Sequence, residues 1–541
     1  DPRTSEGIYV YTKDAPTVSV GDVVDVDGDV DEYYGTTQIK DPTVTVAGSG
    51  TINPTDVLLP VTDIDDYEAY EGMLLTFPQE MTVNDLYNLG RYGTIRLSQG
   101  GRLYNPTSVI TPGTPAQNLQ EANDLRSLLL DDGSSASYPD PIPYPNPALS
   151  TTNTIRSGDV VTDLTGVLGY DFGEYRLHPT LTPDFTTENP RPDTPEDVGG
   201  TVQVASFNVL NYFNTFGDDN CAGGVNGNPE DCRGADDQAE FERQRAKIIT
   251  ALVEIDADVV GLMEIENDGY GPNSAVADLV NALNAAGTDT YAFIDPDAAT
   301  GITNSLGVDA IKVAMIYKTG AVTPTGTTAP LNTDAFVDPN NIGDDKNRPA
   351  LAQSFMDSEG QIFTVVVNHL KSKGSPCGAG DDVPDYEGGN CNDTRTKGVE
   401  EMLAWLDTDP TGVNDSDVLI IGDLNAYARE DPVTALQDAD YTDLISHYEG
   451  AMAYSYVYFG QAGYLDHGLA STTLARQVTG TTIWHINADE PRALDYNDDE
   501  PNDEPAHYAD DSYRASDHDP VIIGLDLGFE YYFPIIFKNG N

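Results

Sequence analysis

Basic side chains are scarce in this chain: 27 Lys and Arg stand against 90 Asp and Glu in 541 residues, which gives a net charge of −63. Such a surface repels nucleic acids, which are polyanions, unless cations intervene or the binding face is locally basic. Two explanations of the acidity remain open, namely solubility and adaptation to high salt, where screening shortens the range of self-repulsion. Neither explanation identifies a substrate.

Cysteine is scarce too, with four residues that fall into two pairs, Cys221 with Cys232 and Cys377 with Cys391. Each pair encloses a loop rich in Gly, Asn and Pro. Two local disulfides fit this spacing and indicate an oxidising compartment. Structural zinc is the alternative interpretation, but the wide spacings lack the CxxC pattern.

Long apolar runs are missing, and no stretch approaches the ~20 apolar residues that a membrane helix needs. We therefore expect no membrane span. The chain also begins without Met or a signal segment. We interpret it as the mature or trimmed form of a protein that is secreted or attached to the cell surface.

The length predicts at least two domains, because 541 residues exceed one ordinary core. Short alternations of apolar and polar residues over 1–181 predict an all-β domain, a small antiparallel barrel or sandwich. Within it, 111–157 is rich in Pro, Asn and Ser and predicts an extended covering segment. The strand pattern at 160–180 predicts a closing hairpin. A cluster of breakers at 182–200 predicts a linker.

Residues 201–527 alternate apolar strand patterns with helical ones and predict an α/β (α+β) domain in which two packed sheets are flanked by helices. Helical spacing of apolar residues predicts helices over 238–255 and 396–408. The apolar tail at 528–541 predicts a terminal docked strand, with an interaction or anchoring role as the alternative.

The acidic segment DVDGDVDE at 25–32 resembles a calcium loop at first sight. However, Val24, Val26 and Val30 recur with period two, which favours a strand with Gly28 at a bulge or bend.

Apolar runs in the second domain end in side chains that can handle protons or metals. The runs are TVQVASFN at 201–208, VVGLMEIEN at 259–267, FTVVVNHL at 363–370 and VLIIGDLN at 418–425, and SDHDP at 516–520 precedes the apolar VIIGL. Strands of this kind can hold polar groups rigidly along one rim of a sheet. The sequence therefore predicts a hydrolytic site that contains Asn208, Glu264, His369, Asp423, Asn425 and His518.

Asp423 and Asn425 alternate with period two, so both project to the same side, where they could orient a water or a phosphate oxygen. A strand-end turn is the competing interpretation of this short motif. Glu264 offers a carboxylate and Asn208 an amide oxygen, the ligands that Mg²⁺ prefers. We prefer Glu264 to Glu266 because it lies nearer the buried run.

Two of the seven histidines, His369 and His518, lie in apolar surroundings beside acids and amides. Imidazole exchanges protons near neutral pH. A histidine that acts as a base needs a carboxylate to orient it, and Asp466 in YLDHG is our candidate, which leaves Asp517 for metal. Taken singly, either histidine is more often structural.

Three basic residues lie near these segments and are candidates for binding phosphate: Arg348, Lys371 and Arg395. Guanidinium and ammonium groups suit phosphate oxygens. The alternative for each is a surface or structural cation.

In chain order, the segments SFNVLNYF, MEIEN, NHLKSK, GDLNAY, YLDHG and SDHDP closely resemble the endonuclease/exonuclease/phosphatase superfamily, which includes pancreatic-type deoxyribonuclease. The resemblance spans about 200–527. Further segments, including NCNDTRTKGVEEMLAWL, look like the large extracellular nucleases of bacteria. In those proteins an oligonucleotide-binding-like barrel precedes the catalytic domain, and residues 7–180 resemble it.

The resemblance implies a two-sheet sandwich that hydrolyses phosphodiesters with a divalent metal and leaves 5′-phosphate ends. The positions that match metal ligands are Asn208, Glu264 and Asp517, and those that match the pair orienting the nucleophile and phosphate are Asp423 and Asn425. His518 matches the general base, with Asp466 as its orienting acid. His369 matches the group that stabilises or protonates the leaving oxygen, and Asp309 is the nearest candidate for its acidic partner.

We therefore expect a secreted, sugar-nonspecific nuclease that uses Mg²⁺, with Mn²⁺ as an alternative and structural Ca²⁺ as a further candidate. Its substrate would be DNA, with RNA as a second polynucleotide, and a monomer is the expected state. Within the same superfamily, a phosphomonoesterase or lipid phosphodiesterase is the alternative. A binding or scaffold protein with an inactive catalytic domain is the alternative from a different class.

Overall fold

A computed structural model describes residues 4–378, 380–498, 500–501 and 507–528. The apolar tail predicted at 528–541 lies outside these residues except for Gly528. No helix within the described part of the chain is both long enough and apolar enough to span a bilayer.

The chain begins with a three-stranded sheet of β1 (Tyr9–Tyr11), β2 (Asp22–Tyr33) and β3 (Thr36–Ser49). Strand β3 pairs antiparallel with β2 and parallel with β1. The acidic segment 25–32 lies inside β2, and the register shifts between Asp27 and Asp29, at Gly28. The predicted strand with a bulge at Gly28 is confirmed, and the calcium-loop alternative is wrong.

A nine-stranded sheet follows, in the order β13-β10-β6-β7-β9-β12-β11-β5-β4. Its strands are β4 (Thr55–Asp56), β5 (Leu74–Phe77), β6 (Met81–Asp85), β7 (Ile95–Gln99), β9 (Ser127–Leu130), β10 (Val160–Val161), β11 (Leu164–Asp171), β12 (Glu174–Pro179) and β13 (Phe185–Thr186). Strand β8 (Leu103–Tyr104) joins a different sheet. The helices of this region are α1 (Leu89–Tyr92), α2 (Pro106–Val109) and α3 (Thr114–Leu125). Among the described strands, no pairing closes the sheet on itself, so the oligonucleotide-binding-like barrel stays a prediction.

The prediction of an extended segment over 111–157 is wrong for its first part. Residues 114–125 form α3, because a Pro in the first helical turn costs no hydrogen bond. Residues 127–130 form β9 in the middle of the sheet, where Leu128 and Leu130 are buried. Only the later part covers the sheet without a helix of its own, burying Ile142 and Tyr144. The hairpin predicted at 160–180 is confirmed as β11 and β12.

The remaining chain forms two six-stranded sheets. The first has the order β18-β19-β17-β14-β29-β28 and contains β14 (Val202–Tyr212), β17 (Val259–Glu266), β18 (Tyr291–Phe293), β19 (Ile311–Lys318), β28 (Val478–Ile483) and β29 (Val521–Leu525). The second has the order β20-β21-β22-β23-β27-β24 and contains β20 (Thr323–Leu331), β21 (Arg348–Met356), β22 (Ile362–His369), β23 (Val418–Asp423), β24 (Thr442–Asp443) and β27 (Asp466–Ala470).

Two small pairings and seven helices complete this part of the described chain. Strand β15 (Cys221–Ala222) pairs with β16 (Pro229–Glu230), and β25 (Tyr456–Tyr458) with β26 (Gln461–Gly463). The helices are α4 (Gln238–Ile255), α5 (Ala275–Ala286), α6 (Pro296–Thr300), α7 (Asp334–Val337), α8 (Asn392–Leu406), α9 (Asp431–Asp438) and α10 (Leu444–Tyr448). The helix predicted at 238–255 coincides with α4, and the one predicted at 396–408 begins four residues earlier, as α8.

The two sheets pack face to face around one apolar core, and helices cover their outer faces. Val204 and Met315 of the first sheet share this core with Val365 and Ile421 of the second. The sheets approach closely at Gly261 of β17, where an added Cβ would lie 2.7 Å from the side chain of Ile421. Apolar residues of α4 and α5 pack on the first sheet, and those of α8 and α9 on the second. This is the two-sheet sandwich flanked by helices that the sequence predicts.

Buried ion pairs join the two regions of the chain. Arg102 donates to Asp489 at 2.7 Å, and Arg156 approaches Glu490 at 2.9 Å. Arg191, within the predicted linker 182–200, donates to the same Glu490 at 2.6 Å. The carboxylates of Asp489 and Glu490 are fully buried, so removing one partner would strand a charge in the interior.

Replacing Ile421 by Ala tests the core between the sheets. Ile421 has no exposed surface, and its truncation leaves a cavity that the sheets cannot close. We expect the free energy of unfolding to fall by about 2–5 kcal/mol in urea denaturation. The control is Ile302→Ala, since Ile302 is 60% exposed and its truncation should change the free energy by no more than about 0.5 kcal/mol. Similar losses in both variants would contradict this packing.

Candidate active site

The candidate active site lies where strands of both sheets end. Asn208 lies in β14 and Glu264 near the end of the parallel β17, in the first sheet. His369 ends β22 in the second sheet, where it is opposite Asp423, the last residue of β23. Asp423 is in turn opposite Asp466, the first residue of β27. Because the strand pairings set these positions, the backbone itself brings the side chains together.

Asp423 occupies the middle of the group and is 2% exposed. Its Oδ1 accepts the backbone N–H of Asn425 at 2.8 Å, and its Oδ2 accepts side-chain amides from Asn425 at 3.1 Å and Asn208 at 3.4 Å. The same Oδ2 lies 3.6 Å from Nε2 of His369 and 4.0 Å from Nε2 of His518. Burial raises the pKa of Asp423 to about 7, against the opposing effect of His518.

His518 and Asp466 form a hydrogen-bonded pair. Nδ1 of His518 lies 2.7 Å from Oδ2 of Asp466, which also accepts the hydroxyl of Ser455 at 2.7 Å. Burial lowers the pKa of His518, but the carboxylates of Asp466 and Asp517 outweigh it and raise this pKa well above its ordinary value. The pair thus fixes the ring with Nε2 directed toward Asp423, as a base with an orienting acid requires.

His369 is also buried beside Asp423. Its Nε2 lies 3.3 Å from Nη1 of Arg348 and 3.8 Å from Oε1 of Glu264. Burial and the charge of Arg348 hold the pKa of His369 well below its usual value, so the ring is neutral. The proposed acidic partner Asp309 is wrong, because Asp309 instead lies 3.3 Å from Nε of Arg348 and Nδ1 of His369 has no hydrogen-bond partner.

The predicted metal ligands combine two carboxylates and one amide. Glu264 adopts a φ of +65° and accepts the backbone N–H of Asn211 at 3.0 Å, while its Oε1 lies 3.3 Å from the amide of Asn208. Burial and then the charge of Asp517 raise the pKa of Glu264. Oδ1 of Asp517 is buried without a hydrogen-bond partner.

This oxygen-rich set, with one buried carboxylate oxygen unpaired, fits a hard divalent cation such as Mg²⁺. No cluster of three His, Cys, Asp or Glu side chains with metal-binding geometry occurs among the described residues. Glu266, the alternative to Glu264, accepts the backbone N–H groups of Asn214 and Thr215 instead.

The three predicted phosphate-binding residues differ in their surroundings. Arg348 lies in the site, where its Nη1 contacts Nε2 of His369. Nζ of Lys371 donates to the hydroxyls of Ser372 and Ser375, and burial, followed by the charge of Arg348, lowers its pKa.

Arg395 has a structural role instead of the predicted one. It is fully buried, and its two terminal nitrogens donate to the carbonyls of Lys371, Asn390 and Gly388. A guanidinium that is already bonded to three carbonyls cannot reach a phosphate, and it holds the loop that follows His369.

Both predicted disulfides are present, Cys221–Cys232 and Cys377–Cys391, and the zinc alternative is wrong. The second disulfide closes the loop between β22 and α8. This loop contains Lys373, whose ammonium pairs with the buried Glu430 and lies 4.4 Å from the ring centroid of Tyr427. Burial lowers the pKa of Lys373 to about 8.

Sequence reasoning missed Ser455 and Tyr456. The ring of Tyr456 stacks on that of His518, with centroids 4.6 Å apart and planes inclined by 29°. The alternating aromatic segment YSYVYF at 454–459 is the signal that could have indicated them.

Residues 205–518 match the Endonuclease/Exonuclease/phosphatase family, and residues 35–189 match a domain of unknown function, DUF8508. No curated protein matches the chain. Among solved structures, the human Nocturnin catalytic domain with bound sulfate is 14% identical and has a TM-score of 0.35, covering 60% of this chain and 95% of its own. A mannosyl-6-phosphatase of Bacteroides thetaiotaomicron is 15% identical with a TM-score of 0.34 and coverages of 60% and 99%. The D. rerio TDP2 complex with single-strand DNA product is 13% identical with a TM-score of 0.34 and coverages of 60% and 97%.

Replacing Asp466 by Asn tests the pair with His518. Burial lowers the pKa of His518, and the carboxylate of Asp466 is the main group that opposes this effect. Without that carboxylate, we expect the pKa of His518 to fall toward or below its ordinary value. The pKa is measured by NMR titration of the imidazole Cε1–H in EDTA, with the resonance assigned from its loss in His518→Gln. The control Asp25→Asn removes an exposed carboxylate of β2 and should leave the titration of His518 unchanged. An unchanged pKa in Asp466→Asn would disprove the pairing.

Proposed function

The chain belongs to the Endonuclease/Exonuclease/phosphatase family, and on this basis we propose that it is a Mg²⁺-dependent nuclease that hydrolyses the phosphodiester bonds of DNA, and of RNA, to leave 5′-phosphate ends. The family is hydrolytic, so the proposal concerns the substrate, the metal and the roles of individual residues. The observation that carries it is the pair of His518 and Asp466, directed at the buried Asp423.

In this proposal His518 is the general base. Its Nε2, in the neutral ring, takes a proton from the attacking water, and Asp466 stabilises the imidazolium that forms. A cation held by Glu264 and Asp517 would oppose the carboxylates that raise the pKa of His518, and would thus favour the neutral ring that a base requires.

Asp423 and Asn425 orient the water and a phosphate oxygen. The two side chains are held together, because the amide of Asn425, a residue with a φ of +47°, donates to Oδ2 of Asp423.

The neutral His369 and the adjacent Arg348 stabilise the departing oxygen. Asn208, Glu264 and Asp517 would hold Mg²⁺, which neutralises phosphate charge when bound. Mn²⁺ can take the same oxygen ligands.

We further propose that the enzyme works outside the cell, either secreted or attached to its surface. Two disulfides support this location, because disulfides persist in oxidising compartments.

The large excess of acidic residues leaves few basic side chains for binding a polyanion. A metal at the site would supply part of the missing positive charge.

Plasmid DNA tests the substrate and the metal together. The protein should nick and then degrade the plasmid in Mg²⁺, and excess EDTA should abolish cleavage because the oxygen ligands then lose their cation. Products are resolved on agarose gels, and their ends are identified by ligation, which requires 5′-phosphate. Intact plasmid in Mg²⁺, Mn²⁺ and Ca²⁺ across a salt series would refute the nuclease. Release of inorganic phosphate or phosphocholine without DNA cleavage would instead identify a phosphomonoesterase or lipid phosphodiesterase.

His518→Ala tests the base. A positioned acid–base group contributes about 10²–10⁴-fold, so kcat for DNA cleavage should fall by this factor. The matched control is His447→Ala, because His447 is exposed in α10 and should leave kcat unchanged. Circular dichroism checks that both variants fold. Activity within about twofold of the unmodified protein would show that His518 is not the base.

A further inference from the structure

A pair of exposed aromatic side chains lies at the tip of the hairpin formed by β25 and β26. Tyr458 is 49% exposed and Phe459 is 71% exposed. Single exposed aromatic residues are common and need no explanation. Adjacent ones beside a functional site are candidates for binding a ligand.

These residues connect to the catalytic histidine through a series of ring contacts. The ring of Tyr456 stacks on His518 at 4.6 Å, and the ring of Tyr458 lies 6.4 Å from that of Tyr456 with planes inclined by 17°. Phe459 contacts Tyr458 edge-on at 4.5 Å. An aromatic surface therefore runs from the proposed general base out to solvent.

The turn at the tip determines how Phe459 is presented. Phe459 and Gly460 have φ values of +46° and +74°, the left-handed pair that a two-residue hairpin turn requires. A similar turn, with Phe172 and Gly173 at +53° and +86°, closes the hairpin of β11 and β12. The turn by itself therefore does not indicate a site, whereas the contact with His518 through Tyr456 does.

The DUF8508 region holds this hairpin in place. Strand β8 pairs in parallel with β26, and the backbone N–H of Asn105 donates to the carbonyl of Ala462 at 2.9 Å. The side chain of Gln461 donates to Gln120 at 2.9 Å. A Cβ on Gly460 would lie 3.2 Å from the side chain of Asp85, so the turn rests directly against β6. The aromatic surface is thus rigid before any ligand arrives, which limits the entropy lost on binding.

We propose that Tyr458 and Phe459 form a stacking platform for an unpaired nucleobase of the strand whose phosphate lies at His518. This inference rests on the proposed nuclease function and specifies its substrate as single-stranded or locally unpaired nucleic acid. Every base has an aromatic face, so stacking binds a strand without regard to its sequence. Stacking also requires no positive charge, which suits a chain with a net charge of −63.

Binding of two oligonucleotides of equal length, one of thymidine and one abasic throughout, tests the platform. Affinities are measured by fluorescence anisotropy in EDTA, where the strands are not cleaved. The unmodified protein should bind the thymidine strand more tightly. Tyr458→Ala and Phe459→Asn should each weaken that binding by about 5- to 150-fold, the range that one base stacked on an aromatic ring provides, and should leave abasic binding unchanged.

Phe459→Asn separates recognition from stability, because Asn tolerates a positive φ better than Phe does. Its thermal midpoint should be equal to or above that of the unmodified protein, although its base-dependent binding is lost. Phe172→Asn makes the same change in the matched turn, where Phe172 is 94% exposed, and should retain full binding. The dependence of affinity on salt should be the same in all four proteins, since none of the changes removes a charge.

Two results would overturn the platform: equal or undetectable binding of both strands by the unmodified protein, or thymidine affinity within twofold in both hairpin variants. The first would indicate that the aromatic tip contacts another partner, such as a lipid surface. These results are distinct from failure of the nuclease proposal, which is judged by cleavage. Loss of cleavage with base-dependent binding intact would leave the platform standing, and cleavage with equal binding of both strands would remove only the platform.

Discussion

The site depends on four carboxylates that lie where the ends of two packed sheets meet: Asp423 and Asp466 are buried, and Glu264 and Asp517 are half-buried. Buried charge is costly unless it is paired or hydrogen-bonded. Asp423 is compensated by amide and backbone N–H groups, and Asp466 by Ser455 and His518. The compensation of Asp466 and Asp517 is incomplete, because Oδ1 of each is buried without a hydrogen-bond partner. The two sheets thus concentrate a negative charge that a bound cation would balance.

Several of the few basic side chains of this chain are committed to structural contacts. Arg102, Arg156 and Arg191 join the two regions through Asp489 and Glu490, and Arg395 braces the loop after His369. The guanidinium group of each is bonded to carboxylate or carbonyl oxygens of the protein instead of water, so these contacts stabilise the fold. Little positive charge then remains for binding the polyanion proposed as substrate. In the proposed nuclease, a metal and uncharged aromatic contacts would bind the substrate instead.

The DUF8508 region contacts elements next to the site, although it matches a different family from the region that contains the site. Its strand β8 supports the hairpin that carries Tyr456, and Thr107 donates to the buried Glu430, which in turn pairs with Lys373. Two elements beside His369 and His518 are therefore held from outside the sandwich. This arrangement places the hairpin within a hydrogen-bonded framework that extends across both regions of the chain.

The sequence alone determined the strands and helices whose burial pattern is local. Apolar runs ending at Asn208, Glu264, His369 and Asp423 predicted strands correctly, and period-two valines located the bulge at Gly28. Local periodicity does not predict which side chains contact each other, however, because these contacts depend on packing between segments that are distant in the sequence. Only the tertiary structure decided that Arg395 turns inward, that Asp309 binds Arg348 rather than His369, and that 114–130 joins the sheet as α3 and β9. It alone also stacked Tyr456 on His518, since these residues meet only where two sheets and a strand from another region converge.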